Sequence, residues 1–380
     1  MSHNIVHYTS ADIDLTNDFE GGNLLLLNRE GNTFQLNPDL WNCTDKSWFY
    51  WSFRAVFKKT DVYRFEFSDY KIGTRGPALS YNGGLDWEWL TDSHYEPDSF
   101  FEYSATEGEV VDFCQCIPYR MPHLISFLDR IDISPVCKIF ELSKTLKGRS
   151  VPAIKISNPD DTEKQALFFA CRHHAQESMA SYALEGIIES VIEETAFADE
   201  IRKRFEIYAI PMVDVDGVIE GIQGKCQEPH DPNRDYGNSE YFFPQVAALN
   251  ALTEEKKPVF ILDLHCPWIR NGMNEFAFLV GNKNENQKVP LARFAEILEQ
   301  EAPPQAPIYE KDNLPYGVDW NSDKSFTQGS GYAKHFSNYS FAFFSHTVEV
   351  PFAAFREKTQ TPETIREFGR AITRAIYRFL

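Results

Sequence analysis

Residues 166–177 read Ala-Leu-Phe-Phe-Ala-Cys-Arg-His-His-Ala-Gln-Glu. The first five form a continuous apolar run, the pattern of a strand buried on both faces, as in a parallel sheet. Just beyond, Met179, Ala183, Ile187 and Val191 recur at helical spacing on one side of a helix. A buried strand that passes through a polar turn into a helix is the unit of an α/β fold. Open α/β sheets build their sites at the carboxyl ends of their strands, so the turn carrying His173, His174 and Glu177 is the first place to look for chemistry.

Downstream, the same alternation continues. Residues 205–213, 258–264, 276–280 and 339–350 read as further strands, and 244–256 as a helix between them. The chain ends in an amphipathic helix with Thr361 as N-cap, Pro362 at the first helical position, and Ile365, Phe368, Ile372, Ile376 and Leu380 as its buried stripe. The predicted fold class is therefore α/β, a mixed, largely parallel sheet flanked by helices. Upstream of Pro118 the pattern differs. Residues 51–57 and 62–70 are rich in aromatic and β-branched residues, and Tyr63, Phe65 and Phe67 alternate with Arg64 and Glu66 as in a half-buried strand. Gly73, Gly76 and Asn82-Gly83-Gly84 punctuate as turns, and no long helix is predicted before Pro122. A length of 380 residues suits two domains, expected as an antiparallel β-sandwich over 1–118 and the α/β domain over 119–380.

Hydrophobic residues make up 43% and charged residues 24%, which excludes wholesale disorder and a membrane bundle. The net charge of −19 (37 − 56) argues against nucleic acid as a partner. No Lys or Arg lies between Arg75 and Arg120, while nine carboxylates lie between Asp86 and Asp112; this run reads as a solvated, loop-rich face. Seven cysteines in no regular framework imply reduced thiols and a cytoplasmic setting. The N-terminal stretch has no signal-peptide pattern, and no apolar run is long enough to span a membrane.

The other strand exits carry further candidates. The 258–264 strand leads from Asp263 into His265, so His174, Glu177 and His265 supply two imidazoles and a carboxylate, a donor set of catalytic zinc sites. Glu349 follows a very apolar run and is either a surface cap or the general base that activated water requires. Asp214-Val215-Asp216-Gly217 and Asp231-Pro232-Asn233-Arg234-Asp235 lie after the 205–213 strand.

This ordered series resembles the zinc carboxypeptidases of the funnelin class. Pro211-Met212-Val213-Asp214-Val215-Asp216-Gly217 is similar to that family's Pro-Met-x-Asn-Pro-Asp-Gly stretch. Phe19-Glu20-Gly21-Gly22-Asn23, Trp48-Phe49-Tyr50-Trp51 and the Pro118-Tyr119 junction resemble the cytosolic carboxypeptidase subfamily, which extends the resemblance over nearly the whole chain. The resemblance implies one zinc ion per chain held by His174, Glu177 and His265, with Glu349 as base and Asp231 bonded to the first His ligand. It implies that Asn233 and Arg234 bind the substrate's terminal carboxylate, which makes the enzyme an exopeptidase acting on peptide or protein C-termini. Lys225 stands where the subfamily has an Arg facing the oxyanion. Lys334 stands where the pocket reads the C-terminal side chain, which favours Glu or Asp ends. The family's mobile phenol has Tyr332 as its nearest candidate, although Phe326 or Thr327 fits ungapped spacing better. Inside the HxxE motif, Ala175-Gln176 lacks the Arg of the digestive enzymes.

Two other readings stay open. A related zinc hydrolase could deacylate small acylamino acids with the same ligands, or the fold could be kept by a catalytically dead binding protein. His173 reads as structural, Cys171, Cys226 and Cys266 as apolar packers, and His230 has no assigned role. Nothing in the sequence sets the oligomeric state.

Overall fold

Alternation of large rings with polar residues builds the N-terminal sandwich. In the computed structural model, which describes residues 4–68, 71–90, 95–96, 100–159 and 163–380, eleven strands precede the first helix. These are β1 (His7–Thr9), β2 (Ile13–Thr16), β3 (Leu25–Glu30), β4 (Thr33–Asn37), β5 (Ser52–Phe57), β6 (Asp61–Phe67), β7 (Ala78–Ser80), β8 (Glu88–Trp89), β9 (Tyr95–Glu96), β10 (Phe100–Ala105) and β11 (Val110–Cys114). They form two sheets, ordered β1-β2-β5-β11-β7-β8 and β3-β4-β6-β10-β9. All pairings are antiparallel except β4 with β6. The Phe65 ring lies 5.3 Å from that of Phe53 on the other sheet and 5.0 Å from that of its cross-strand neighbour Phe101. Tyr70, Asp92 and Asp98 of the sequence readings, and Met1 to His3 of the N-terminal stretch, lie outside the described residues, as does the side chain of Glu96.

The acidic run is not simply a solvated face. Asp112 is 1% exposed and accepts from Arg54 Nε and Nη2 at 2.6 and 2.9 Å. Glu102 pairs with Arg64, and Glu109 accepts from the Tyr103 hydroxyl. Cross-strand neighbours supply the cations that the local sequence lacks.

The chain then enters α1 (Met121–Asp132) and a seven-stranded sheet. Its strands are β12 (Cys137–Lys144), β13 (Ser150–Ile156), β14 (Gln165–Cys171), β15 (Phe205–Ile210), β16 (Phe260–His265), β17 (Phe278–Val280) and β18 (Phe344–Glu349), ordered β12-β13-β15-β14-β16-β18-β17. The four central strands are mutually parallel, and the pairings at both edges are antiparallel. The β12–β13 hairpin went unread in the sequence. The predicted 339–350 strand begins only at Phe344, because 339–343 form turns leading into it.

Helices α2 (Ser178–Ile192), α3 (Ala196–Arg204), α4 (Val215–Glu220), α5 (Pro244–Lys256), α6 (Lys288–Glu301), α7 (Tyr332–Phe336) and α8 (Pro362–Phe379) pack around this sheet. Thr361 caps α8, its hydroxyl accepting from Thr364 N. Helix α2 is buried nearly all round rather than on one stripe, because it packs against α8 as well as against the sheet. That crossing needs glycine. A Cβ on Gly369 would lie 2.0 Å from Ala183 O, and one on Gly186 would lie 2.0 Å from Arg366 O.

The sandwich docks on the loops at the carboxyl ends of the parallel strands. Asn23 Nδ2 donates to Gly221 O at 2.7 Å, Gln223 Oε1 accepts from the amides of Phe49 and Tyr50, and Glu228 N donates to Asn42 O. Trp48 and Phe49 pack on Trp268, with ring centroids 4.7 and 5.1 Å apart, so one apolar core runs across the junction.

Candidate active site

Three adjacent parallel strands end side by side, and their exits place the site. His174 and Glu177 lie in the turn after β14, His265 ends β16, and Glu349 ends β18 in direct register with His265. The turn after β14 is held by Arg172, a residue with φ of +63° whose buried guanidinium donates to Ala175 O, Tyr119 O and Ser181 Oγ. The loop carrying Lys225 passes against this turn only because residue 224 is glycine. Gly224 has φ of +82°, and a Cβ there would lie 2.1 Å from Ala175 N.

One donor atom each from His174, Glu177 and His265 lie within 4.8 Å of one another, all buried. His174 Nδ1 lies 2.9 Å from one Glu177 oxygen, and His265 Nδ1 lies 2.6 Å from the other. The far nitrogens have carboxylate partners: His174 Nε2 lies 3.2 Å from Asp231 Oδ1, and His265 Nε2 lies 2.9 Å from Asp263 Oδ2. A proton donated from each Nε2 leaves the two Nδ1 lone pairs facing a carboxylate. Acceptors facing acceptors call for a cation between them, and an N₂O set suits zinc.

The electrostatics show a pocket that favours positive charge, whether a proton or a cation supplies it. Burial alone would raise Glu177, but the imidazoles of His174 and His265 outweigh it and hold the carboxyl below its usual range. Burial disfavours charge on His265, yet Asp263 and Glu177 push its pKa up. Asp231, raised by burial, is pulled down further by His174 and Arg234. Its other oxygen accepts from Cys226 N at 3.0 Å, so Asp231 also ties the Lys225 loop to the site. Glu349 is the exception: burial raises it to about 7, and its buried Oε2 has no hydrogen-bond partner among the described residues.

Two cavities meet here. The larger, about 490 Å³, is lined by Trp48, Trp268, Trp320, Lys225, Arg234 and Glu349 among others. The smaller, about 40 Å³, is shared by His174, His265, Asn233, Arg234, Glu349 and Lys334. Lys225, Arg234, Trp320 and Glu349 lie where the two join. The Lys225 ammonium lies 5.2 Å from the Trp48 ring centroid and 5.6 Å from that of Trp320. Arg234 Nε donates to Ser325 O, and its Nη1 to Asn233 O, which fixes the guanidinium over the Phe326 ring. Lys334 Nζ lies 3.4 Å from that ring centroid, and partial burial lowers it to about 8.

Two sequence assignments change. Tyr332 is fully buried, its hydroxyl 2.9 Å from Thr253 Oγ1, and it lines neither cavity, so no phenol reaches the substrate from this position. Phe326 lines the smaller cavity and Thr327 the larger. Asn233 lines the smaller cavity; its Oδ1 accepts from Tyr332 N, and its carboxamide is packed against a candidate ligand, with Nδ2 3.0 Å from His265 Nε2. His173 is buried against Asp263 and Tyr236, and the seven cysteines are free. The roles of Arg172 and of Trp48, Trp268 and Trp320 were not read from the sequence. A left-handed arginine and rings contributed by distant loops leave no local pattern.

Residues 124–370 match the zinc carboxypeptidase family model. The chain belongs to the zinc carboxypeptidase family. Among curated relatives it is similar to cytosolic carboxypeptidase 6 of Caenorhabditis elegans, 26% identical over 73% of this chain and 67% of that one. It is 25% identical to cytosolic carboxypeptidase 3 of Mus musculus over 65% of this chain, but spans only 28% of that protein's length. A metallo-carboxypeptidase structure from Burkholderia cenocepacia aligns with a TM-score of 0.80 at 17% identity, covering 97% of this chain and 98% of that one. That likeness in fold extends over both parts of the chain, sandwich included. Among the described residues no helix is long and apolar enough to cross a membrane.

Proposed function

We propose that the protein is a cytoplasmic zinc metallocarboxypeptidase that removes C-terminal residues from peptides or proteins, with preference for Glu or Asp. The observation that carries the reading is the convergence of the zinc donor set, an unpartnered buried carboxyl and an anchored guanidinium at the junction of two cavities. Bound at His174, Glu177 and His265, one zinc ion would polarise the scissile carbonyl and acidify water. Glu349 takes the proton from the attacking water and passes it to the leaving amine; its raised pKa suits both halves of that task. Lys225, clamped between two indoles beside Glu349, faces the charge that develops on the carbonyl oxygen. Arg234 binds the terminal carboxylate, and Asp231 fixes the tautomer of His174.

The acidic preference rests on Lys334. Its ammonium is held in the smaller cavity together with Arg234 and Asn282, so a terminal side chain entering there meets a half-buried cation. Asp323 offers only a distant 3.9 Å contact and is itself paired with Lys283 at 2.9 Å. The acylamino-acid reading shares the ligands, but leaves the larger cavity without an occupant. A binding protein without catalysis leaves the orphaned Glu349 oxygen unexplained.

Peptides identical except for terminal Glu, Asp, Lys, Leu or Phe, incubated with zinc-loaded protein and followed by mass spectrometry, test this reading. The Glu and Asp peptides should lose one residue first. Hydrolysis of acylamino acids with every peptide untouched would overturn it.

A further inference from the structure

The larger cavity has a wall that the hydrolytic machinery does not use. Trp48 and Trp268 line it without lining the smaller one, and Lys334 lines only the smaller. On the carboxypeptidase reading above, the terminal residue occupies the Lys334 side and the scissile bond lies at Glu349. The residue before the scissile bond therefore enters the larger cavity. We propose that this cavity is a subsite, built jointly by the sandwich and the α/β domain, for an aromatic side chain at that preceding position.

Its walls select for a flat apolar group. The Trp268 ring is partly exposed and is backed by a tilted and edge-to-face aromatic cluster: Trp48 at 4.7 Å, Phe49 at 5.1 Å, and Phe352 behind Phe49 at 5.8 Å. Such a platform favours an offset or edge-on ring. Lys225, Arg234 and Lys324 disfavour a basic side chain: of the three acids that also line the cavity, Asp45 is exposed, Asp231 is buried against His174 and Cys226 N, and Glu349 stands at the scissile bond. The cations also give little to an acidic side chain. Lys225 faces two indoles, Arg234 has Nε and Nη1 bound to carbonyls, and Lys324 is exposed. A substrate ring would instead gain a cation–π partner in Lys225. Thr44, Asp45 and Trp48 complete the wall from the sandwich, so the N-terminal domain takes part in specificity.

The test uses blocked peptides with a fixed terminal Glu and Phe, Ala, Glu or Lys before it. Two readouts are taken on the zinc-loaded full chain: kcat/KM, and calorimetric Kd for the Glu349→Gln variant. Phe is expected to exceed Ala by about tenfold in both. In Trp268→Ala, and to a lesser degree in the conservative Trp48→Phe, the ratio should fall toward one while the melting transition stays cooperative. Equal values for Phe and Ala, a preference for Glu or Lys, or a Phe preference that survives Trp268→Ala would overturn the subsite. Selective binding of the Phe peptide with no residue released from any peptide would support the subsite and overturn the catalytic reading instead.

Discussion

Glu349 and Lys334 are ionisable side chains, both shifted by burial, and the shifts have opposite consequences. For Glu349 the desolvated carboxyl titrates near neutrality, where it can both take and return a proton. Glu349→Gln keeps the shape and the zinc donors but removes the base. Peptide release should fall by about 10²–10⁴-fold, with the zinc content by metal analysis unchanged. Retained activity would remove Glu349 from the mechanism. For Lys334 burial lowers the ammonium to about 8. Below that pH it is charged, and on the proposed acidic preference it would attract a terminal Glu or Asp side chain; above it that attraction would be lost. The kcat/KM for Glu-terminated peptides should therefore decline as pH rises through about 8, while Leu-terminated peptides show no matching decline. Lys334→Met should abolish both the decline and the Glu preference. A Glu preference that persists in Lys334→Met would place the selective contact elsewhere.

At the scale of elements, positions with no chemistry decide whether the site assembles. The α2–α8 crossing brings Gly369 against the Ala183 carbonyl, with no room for a methyl group. Gly369→Ala should cost more than about 2 kcal/mol by urea unfolding, since the helices must separate. Thr361→Ala, which removes the α8 cap, should cost about 1 kcal/mol. Equal effects would mean that the crossing is looser than described. The strands that carry the site were legible because burial on both faces forces continuous apolar runs: residues 166–170 and 258–262 declare themselves that way, with Asp263 breaking the second run just before His265. The β12–β13 hairpin was not, because its half-exposed edge strand mixes charge and apolarity residue by residue. Among site residues, His174, Glu177, His265, Asp231 and Glu349 were readable as an ordered set and do converge. Tyr332 was not placeable by spacing, because its helix turns the ring into the core beside Thr253. The tryptophan wall depends on three separated loops, so no local pattern could announce it.

At the scale of the whole molecule, the sandwich and the α/β domain share one apolar core and one active-site cleft. A zinc ion linking the β14 turn to β16 should stabilise both parts together. Chelator treatment is expected to lower the melting temperature of the full chain in a single transition, and zinc to restore it. Two separate transitions, with only one responding to zinc, would show that the junction does not couple the domains. Zinc held at His174, Glu177 and His265 is proposed to drive peptide hydrolysis. The decisive measurement titrates zinc into metal-free protein while the release of terminal Glu is followed. The rate should rise in proportion to zinc and level off at one ion per chain. A rate that is indifferent to zinc, or no release once one zinc is bound, would contradict the account.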